Sequence, residues 1–265
     1  MKLGGFGFIK DYDRIQAAGF DYAELDMPEI EALNDEDYAA FRTHVEQTAF
    51  PIPTGARILP VKEPLFFVPG FQETSLESYL KSSCKKSAEV GIKTILFGNG
   101  KARWLVDGDS LKREEVFIRF LRMLCEIAGE HGQEVLIEPL GPKYSNYMNT
   151  VPEAARVIDA ANMPNLFVMA DLRHFVWSEE PFEDIVRYKD LVRHIHVDYP
   201  LSYPERKYPN VRDDYDYAPF FRQLRDYGGR LTIEADIPAD WNRAGTDARE
   251  LLSAYEVKGR RDSCD

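Results

Sequence analysis

Phe167-Val-Met-Ala-Asp-Leu-Arg-His174 is the stretch on which the reading of this chain turns. Residues 166–170 form an apolar run without alternation, the pattern of a strand covered on both faces in a parallel sheet. The run stops abruptly at Asp171, and His174 follows closely. A carboxylate placed where a buried strand leaves its core is costly unless something binds it. Other apolar runs end in the same way: 135–137 in Glu138, 231–233 in Glu234, and Leu191, Val192 and Ile195 around His194 and His196. The expectation is that these four strand ends converge on one divalent metal ion.

Outward from this stretch, short apolar runs alternate with segments of helical period. Strands are expected at 3–9, 21–27, 52–60, 94–97, 135–140, 166–171, 194–199 and 231–234. Helices are expected at 12–18, 36–49, 75–90, 112–130, 151–161, 181–188, 216–227 and 247–257, with Gly19, Gly91 and Gly228 as stops. Eight strands alternating with eight helices, without a linker or low-complexity break, predict a closed (β/α)8 barrel forming one domain over 1–265. An open doubly wound sheet would want a dinucleotide fingerprint after its first strand. Gly4-Gly5-Phe6-Gly7 has neither the spacing nor a following helix in the right place.

Composition narrows the function. The 265 residues are 44% hydrophobic and 12% aromatic, which excludes a disordered chain. A net charge of -12, from 45 acidic and 33 basic residues, would repel a phosphate backbone, so no nucleic-acid partner is expected. No run approaches a membrane span, and residues 3–9 are too short for a signal peptide's apolar region. Cys84, Cys125 and Cys264 form no close pair and read as buried or terminal thiols. A cytoplasmic setting is expected.

In a barrel, side chains at the C-terminal strand ends share one small volume at the mouth. Glu138, Asp171 and Glu234 would repel one another there unless a cation joined them. With His196 as fourth ligand the set is hard and oxygen-rich. Such a set favours Mn²⁺ or Mg²⁺, with Co²⁺ and Zn²⁺ as further candidates.

The order Ile137-Glu138-Pro139, Met169-Ala170-Asp171-x-x-His174, His194-Ile195-His196 and Ile233-Glu234-Ala235 resembles the xylose isomerase-like TIM barrels. Within them it resembles the sugar isomerase and epimerase branch, that of D-tagatose 3-epimerase and hydroxypyruvate isomerase. The resemblance implies that Glu138, Asp171, His196 and Glu234 hold the metal, that Glu138 and Glu234 are also the catalytic acid and base, and that His174 contacts substrate. Arg206 resembles a substrate-contacting arginine of the family, although the turn beyond Pro209 departs from its usual pattern. The activity implied is isomerisation or epimerisation of a small keto sugar or related polyol through an enediolate, and homodimers or homotetramers are common in such proteins.

Other readings stand beside this one. A dehydratase of the 3-dehydroshikimate dehydratase type would use the same metal and base to expel a β-hydroxyl. A relative of endonuclease IV would need a histidine-rich zinc cluster and a basic surface, which five histidines and the acidic balance oppose. A non-catalytic sugar-binding barrel would need no metal. Individually, any of the acids could be a helix cap or a loop ion pair. His194, one pleat below His196, reads as a satisfied core histidine, and Glu24 as either a mouth residue or an ordinary ion-pair partner. Arg173 has no expected role beyond an inter-loop salt bridge. The glycines of 98–103 would let backbone approach a substrate oxygen or phosphate, and Phe6, Phe8, Phe175, Trp177 and Tyr199 are candidate pocket walls.

Overall fold

The computed structural model describes residues 1–261, so Cys264 lies outside the described residues. The strands β1 (Lys2–Gly7), β2 (Tyr22–Asp26), β3 (Thr54–Ala56), β4 (Thr94–Phe97), β5 (Glu134–Ile137), β6 (Leu166–Asp171), β7 (Val192–Val197) and β8 (Arg230–Ile233) pair in chain order. Every pair is parallel, and β8 returns to β1, closing a single-domain (β/α)8 TIM barrel.

Among the described residues the outer layer holds α1 (Tyr12–Ala17), α2 (Met27–Glu31), α3 (Asp35–Thr48), α4 (Glu77–Glu89), α5 (Glu114–Glu130), α6 (Val151–Ala161), α7 (Leu172–Trp177), α8 (Glu183–Arg187), α9 (Ala218–Gln223) and α10 (Trp241–Arg261). No helix among the described residues is long and apolar enough to cross a membrane. The short α2 and α7 were not expected from the sequence. Each follows directly on its strand, so the apolar run and the helical turn merge in sequence. The expected third strand, 52–60, shrinks to three residues, because Arg57 takes a positive φ of 54° and turns the chain away.

Local chemistry accounts for the best-defined helices. On α5, Phe117, Phe120, Leu121, Leu124 and Ala128 recur at helical spacing and are fully buried. The start of α6 is a capping box: the Thr150 hydroxyl accepts from Glu153 N, and the Glu153 carboxylate accepts from Thr150 N. Asn162, at φ 52°, closes that helix in the left-handed conformation.

Two apolar clusters divide the interior. The large one lies between the sheet and the helices; Cys84 and Cys125 are buried in it. The small one, Leu96, Leu136 and Met169 with Phe167 against it, belongs to β4, β5 and β6 alone and fills that side of the barrel lumen. The opposite side is polar. Tyr22, Glu24, His194 and Thr232 are buried there and hydrogen-bond to one another across β2, β7 and β8. The Tyr22 ring occupies the space that any side chain at Gly4 would need, which explains a glycine inside β1.

Candidate metal centre

Glu138 and Glu234 follow the last residues of β5 and β8, Asp171 ends β6, and His196 lies one residue before the end of β7. Each offers one ligand atom, and the four atoms lie within 4.8 Å of one another. A register shift makes this possible. Between Val168 and Met169 the pairing of β6 with β7 slips by one residue, so that Met169 faces His194 and Asp171 faces His196. Without that bulge Asp171 would pair with Ile195, and the imidazoles would leave the lumen face.

The acid that opened the sequence reading uses its two oxygens separately. Asp171 Oδ1 caps α7, accepting from Arg173 N at 2.7 Å and His174 N at 3.4 Å. Asp171 Oδ2 faces the cluster, 3.9 Å from His196 Nδ1. His196 Nδ1 also lies 3.3 Å from Glu234 Oε2 and 4.0 Å from Glu138 Oε1. His174 Nδ1 accepts from Gly141 N at 3.2 Å, which in the neutral ring leaves the proton on Nε2. That Nε2 faces Glu138 Oε1 at 3.5 Å and Asp171 Oδ2 at 3.7 Å.

Arg206 enters from the loop after β7. Its guanidinium pairs with Glu234 and donates to Asp171 Oδ2 at 3.1 Å, while Nε lies 3.6 Å from Asp198 Oδ2. The loop is anchored by backbone: Arg206 N donates to Asp236 Oδ2 at 2.9 Å, and Asp236 N to Arg206 O at 2.7 Å. All six candidate residues therefore meet at one place: Glu138, Asp171, His174, His196, Arg206 and Glu234.

Electrostatics follow from this crowding. Burial drives the Asp171 carboxyl upward, but the charges of His174, Arg206 and His196 outweigh it and hold it below the usual carboxylate range. Burial lowers His196, yet Glu24, Glu138 and Asp171 reverse the direction and raise it. For Arg206 burial opposes the charge, and Asp171, Asp198 and Glu138 more than restore it. Burial lifts Asp198 to about 7, against the pull of Arg206 and Arg173.

Several residues differ from the sequence reading. Arg173 makes the expected inter-loop salt bridge, with Nε donating to Asp198 Oδ2 at 2.6 Å, but it does so fully buried and with a further task. Its Nη2 donates to Tyr199 O, Ser202 Oγ and Glu205 O. It fastens the loop that carries Arg206. Gly98 has a use beyond the one expected: a side chain there would overlap Glu138 Oε2, so the glycine makes room for the carboxylate. Arg103 is buried behind the same strand and donates to the carbonyls of Phe97 and Glu138. Phe175 packs in the outer core against Phe182 and Phe220 and is no pocket wall. Tyr199 sends its hydroxyl to Asp214.

Residues that the sequence left open or overlooked take definite places. Glu24 is fully buried between His194 and His196, with Oε1 2.9 Å from His196 Nε2 and Oε2 2.9 Å from His194 Nε2. Burial would raise its carboxyl, but the two imidazoles hold it well below the usual range. His194 is the interior histidine its position suggested: its Nε2 lies within hydrogen-bonding distance of Glu24 Oε2 and Thr232 Oγ1, while its buried Nδ1 has no hydrogen bond. Asp198, two residues beyond His196, escaped notice although strand alternation offered the signal.

The donor set fits a hard divalent cation. Glu138 Oε1 and His196 Nδ1 are buried without a hydrogen bond, and both face the other carboxylates of the cluster. Three carboxylates and one neutral-capable nitrogen, with no sulfur, are oxygen-rich ligands of the class that binds such ions.

A closed parallel barrel with ligand-capable acids at its C-terminal strand ends defines the class. The chain matches the xylose isomerase-like TIM barrel family over residues 12–255 and belongs to it. A Xenopus laevis protein provisionally named hydroxypyruvate isomerase is 25% identical over 169 residues, covering 61% of this chain and 59% of that protein. The match thus spans less than two thirds of that relative. The 3-dehydroshikimate dehydratase of Bacillus anthracis is 21% identical over 201 residues, 69% of this chain and 70% of the relative. Among solved structures, the apo 3-keto-D-glucoside 4-epimerase of E. coli superposes with a TM-score of 0.77 at 21% identity, covering 96% of this chain and 99% of that one.

Proposed function

We propose that this chain is a divalent-metal-dependent isomerase or epimerase of a small keto sugar or related polyol. The observation that carries the reading is the placement of Glu138 and Glu234 after β5 and β8, with β6 and β7 and their two ligand candidates between them. Glu138, Asp171, His196 and Glu234 would hold the ion, with Mn²⁺ or Mg²⁺ best suited to the set. When bound, it would act as a Lewis acid on the oxygens next to the reacting carbon. A glutamate carboxylate would take the proton from the carbon beside the carbonyl, leaving an enediolate. The same or the opposite glutamate would return it, so no proton is gained or lost overall. His174, with Nε2–H facing the cluster, would donate to a substrate oxygen. Arg206, paired with Glu234 and Asp171, would exchange part of that pairing for substrate hydroxyls.

The test is solvent exchange. Chelator-stripped protein reloaded with Mn²⁺ is offered a panel of ketoses in D₂O, and deuterium at the carbon next to the carbonyl is read by proton NMR. Exchange that requires the metal supports the reading; no exchange with any ketose on the panel removes it. The Bacillus anthracis match favours one alternative, a dehydratase. A metal-dependent rise of ultraviolet absorbance from a conjugated product, without epimer formation, would select it.

A further inference from the structure

We propose that Glu24 is a positioning residue for the metal centre: it holds the Nε2–H of His196, so that Nδ1 is the atom this histidine presents to the cation. The inference rests on the metal-binding reading of the cluster and extends it to a residue on the opposite side of the barrel.

Two buried atoms carry the argument. Glu24 Oε1 and His196 Nε2 are each without a conventional hydrogen bond, yet they lie 2.9 Å apart. Their approach is close and oblique rather than linear. Neither buried atom has another hydrogen-bond partner, and a buried carboxylate oxygen or imidazole nitrogen left unpaired is costly. On the other edge of the ring, Nδ1 faces the acids at 3.3, 3.9 and 4.0 Å. The ring is thus divided between a carboxylate behind it and a ligand cluster in front. In metal sites the second nitrogen of a ligand histidine commonly donates to a carboxylate, which fixes the tautomer and raises the basicity of the ligating nitrogen.

Glu24 is itself held in place. Its Oε2 is 2.9 Å from His194 Nε2 and accepts from the Thr232 hydroxyl at 2.9 Å. Thr232 Oγ1 in turn lies 2.9 Å from the Tyr22 hydroxyl, which can donate to it. These residues come from β2, β7 and β8, all rigid strands, and each is at most 2% exposed. The polar half of the lumen therefore has a purpose that apolar side chains could not serve.

Glu24, His194 and His196 also bring ligand-capable atoms within 4.8 Å of one another, close enough for a second cation. The contacts argue otherwise. Glu24 Oε2 already faces a ring nitrogen and a hydroxyl at hydrogen-bond distance, an arrangement of donors around one acceptor. A cation there would also compete for His196, whose other nitrogen serves the main cluster.

The experiment uses the full chain, stripped with chelator and titrated calorimetrically with Mn²⁺ at neutral pH. Wild type should bind one ion per chain. Glu24→Gln, which keeps the shape but loses the charge and one acceptor, should bind one ion about 10- to 100-fold more weakly. Unchanged affinity in a folded Glu24→Gln protein would overturn the inference and leave the metal reading standing. Two ions per chain in wild type would overturn it in favour of a second site. No binding by wild type would instead remove the metal reading on which it rests. A wild-type measurement that does not depend on the folding of Glu24→Gln stands beside it. With diamagnetic Mg²⁺ bound, ¹⁵N NMR of the imidazoles should show His196 protonated at Nε2. A proton on Nδ1 would refute the proposal whatever the variant does.

Discussion

Replacing Arg173 by Met removes a buried cation and keeps most of its apolar bulk. Its partner Asp198 is 2.6 Å away, and both side chains are at most 1% exposed. At an effective dielectric of about 20, the Coulomb attraction at that distance is roughly 6 kcal/mol, most of it offset by desolvation. Deleting one partner leaves the other charge buried, which typically costs about 3–5 kcal/mol. Arg206 Nε, 3.6 Å from the same oxygen, takes up part of that loss and points to the lower end. Loss of the donors to Tyr199 O, Ser202 Oγ and Glu205 O adds a part that does not depend on ionisation. The expected total is about 3 kcal/mol above neutral pH.

The pH dependence of this loss follows from Asp198. Its folded carboxyl, lifted by burial to about 7, is above the ordinary value of about 3.9. A raised carboxyl stabilises the fold fully below the unfolded value and loses that contribution as pH rises through the folded one. Arg173 supports only the charged form. Its removal should therefore hurt more at pH 8 than at pH 5, where Asp198 is protonated in both proteins. Urea unfolding of chelator-stripped wild type and Arg173→Met at both pH values measures the difference. A loss below about 1 kcal/mol at pH 8, or an equal loss at both pH values, would refute the reasoning. Asp198→Asn in the Arg173→Met background should recover stability, as coupled partners do.

Further outcomes are expected elsewhere. Burial lifts Glu180 to about 8 while its Oε1 accepts from Val151 N, so wild type should lose stability as pH rises from about 4.3 toward 8. Glu180→Gln keeps the acceptor and cannot ionise; it should become the more stable protein near pH 9, and parallel melting curves across pH would contradict this. Glu234→Gln should abolish substrate deuterium exchange while leaving the circular dichroism spectrum unchanged, and retained exchange would show that Glu138 alone moves the proton. In Gly98→Ala the added methyl would displace the Glu138 carboxylate, weakening Mn²⁺ binding on the order of tenfold without loss of fold; calorimetry giving wild-type affinity would mean that Glu138 rearranges freely.

Much of the site was legible because strand ends are special places. An apolar run must stop where its strand leaves the core, so Glu138, Asp171 and Glu234 stood out against their neighbours. The remainder was hidden for identifiable reasons. Glu24 ends no long apolar run, and its partner His194 lies 170 positions away in the chain. Arg173 followed a conspicuous acid and looked like ordinary loop charge, whereas burial against Asp198 made it a fastener. Gly98 read as part of an approach route for ligand, whereas close packing sets it against the Glu138 carboxylate.

The alternation of strand and helix, the single barrel and the positions of the acids were determined by the sequence alone, because periodicity and burial are local properties of the chain. The convergence of those acids was decided only by tertiary structure. A one-residue slip between β6 and β7 sets which residues face each other, and with period-two strands it decides which face every side chain takes. That slip brings Asp171 beside His196. Closure of β8 onto β1 then completes the lumen, whose polar half holds Glu24, Thr232 and His194 within hydrogen-bonding reach.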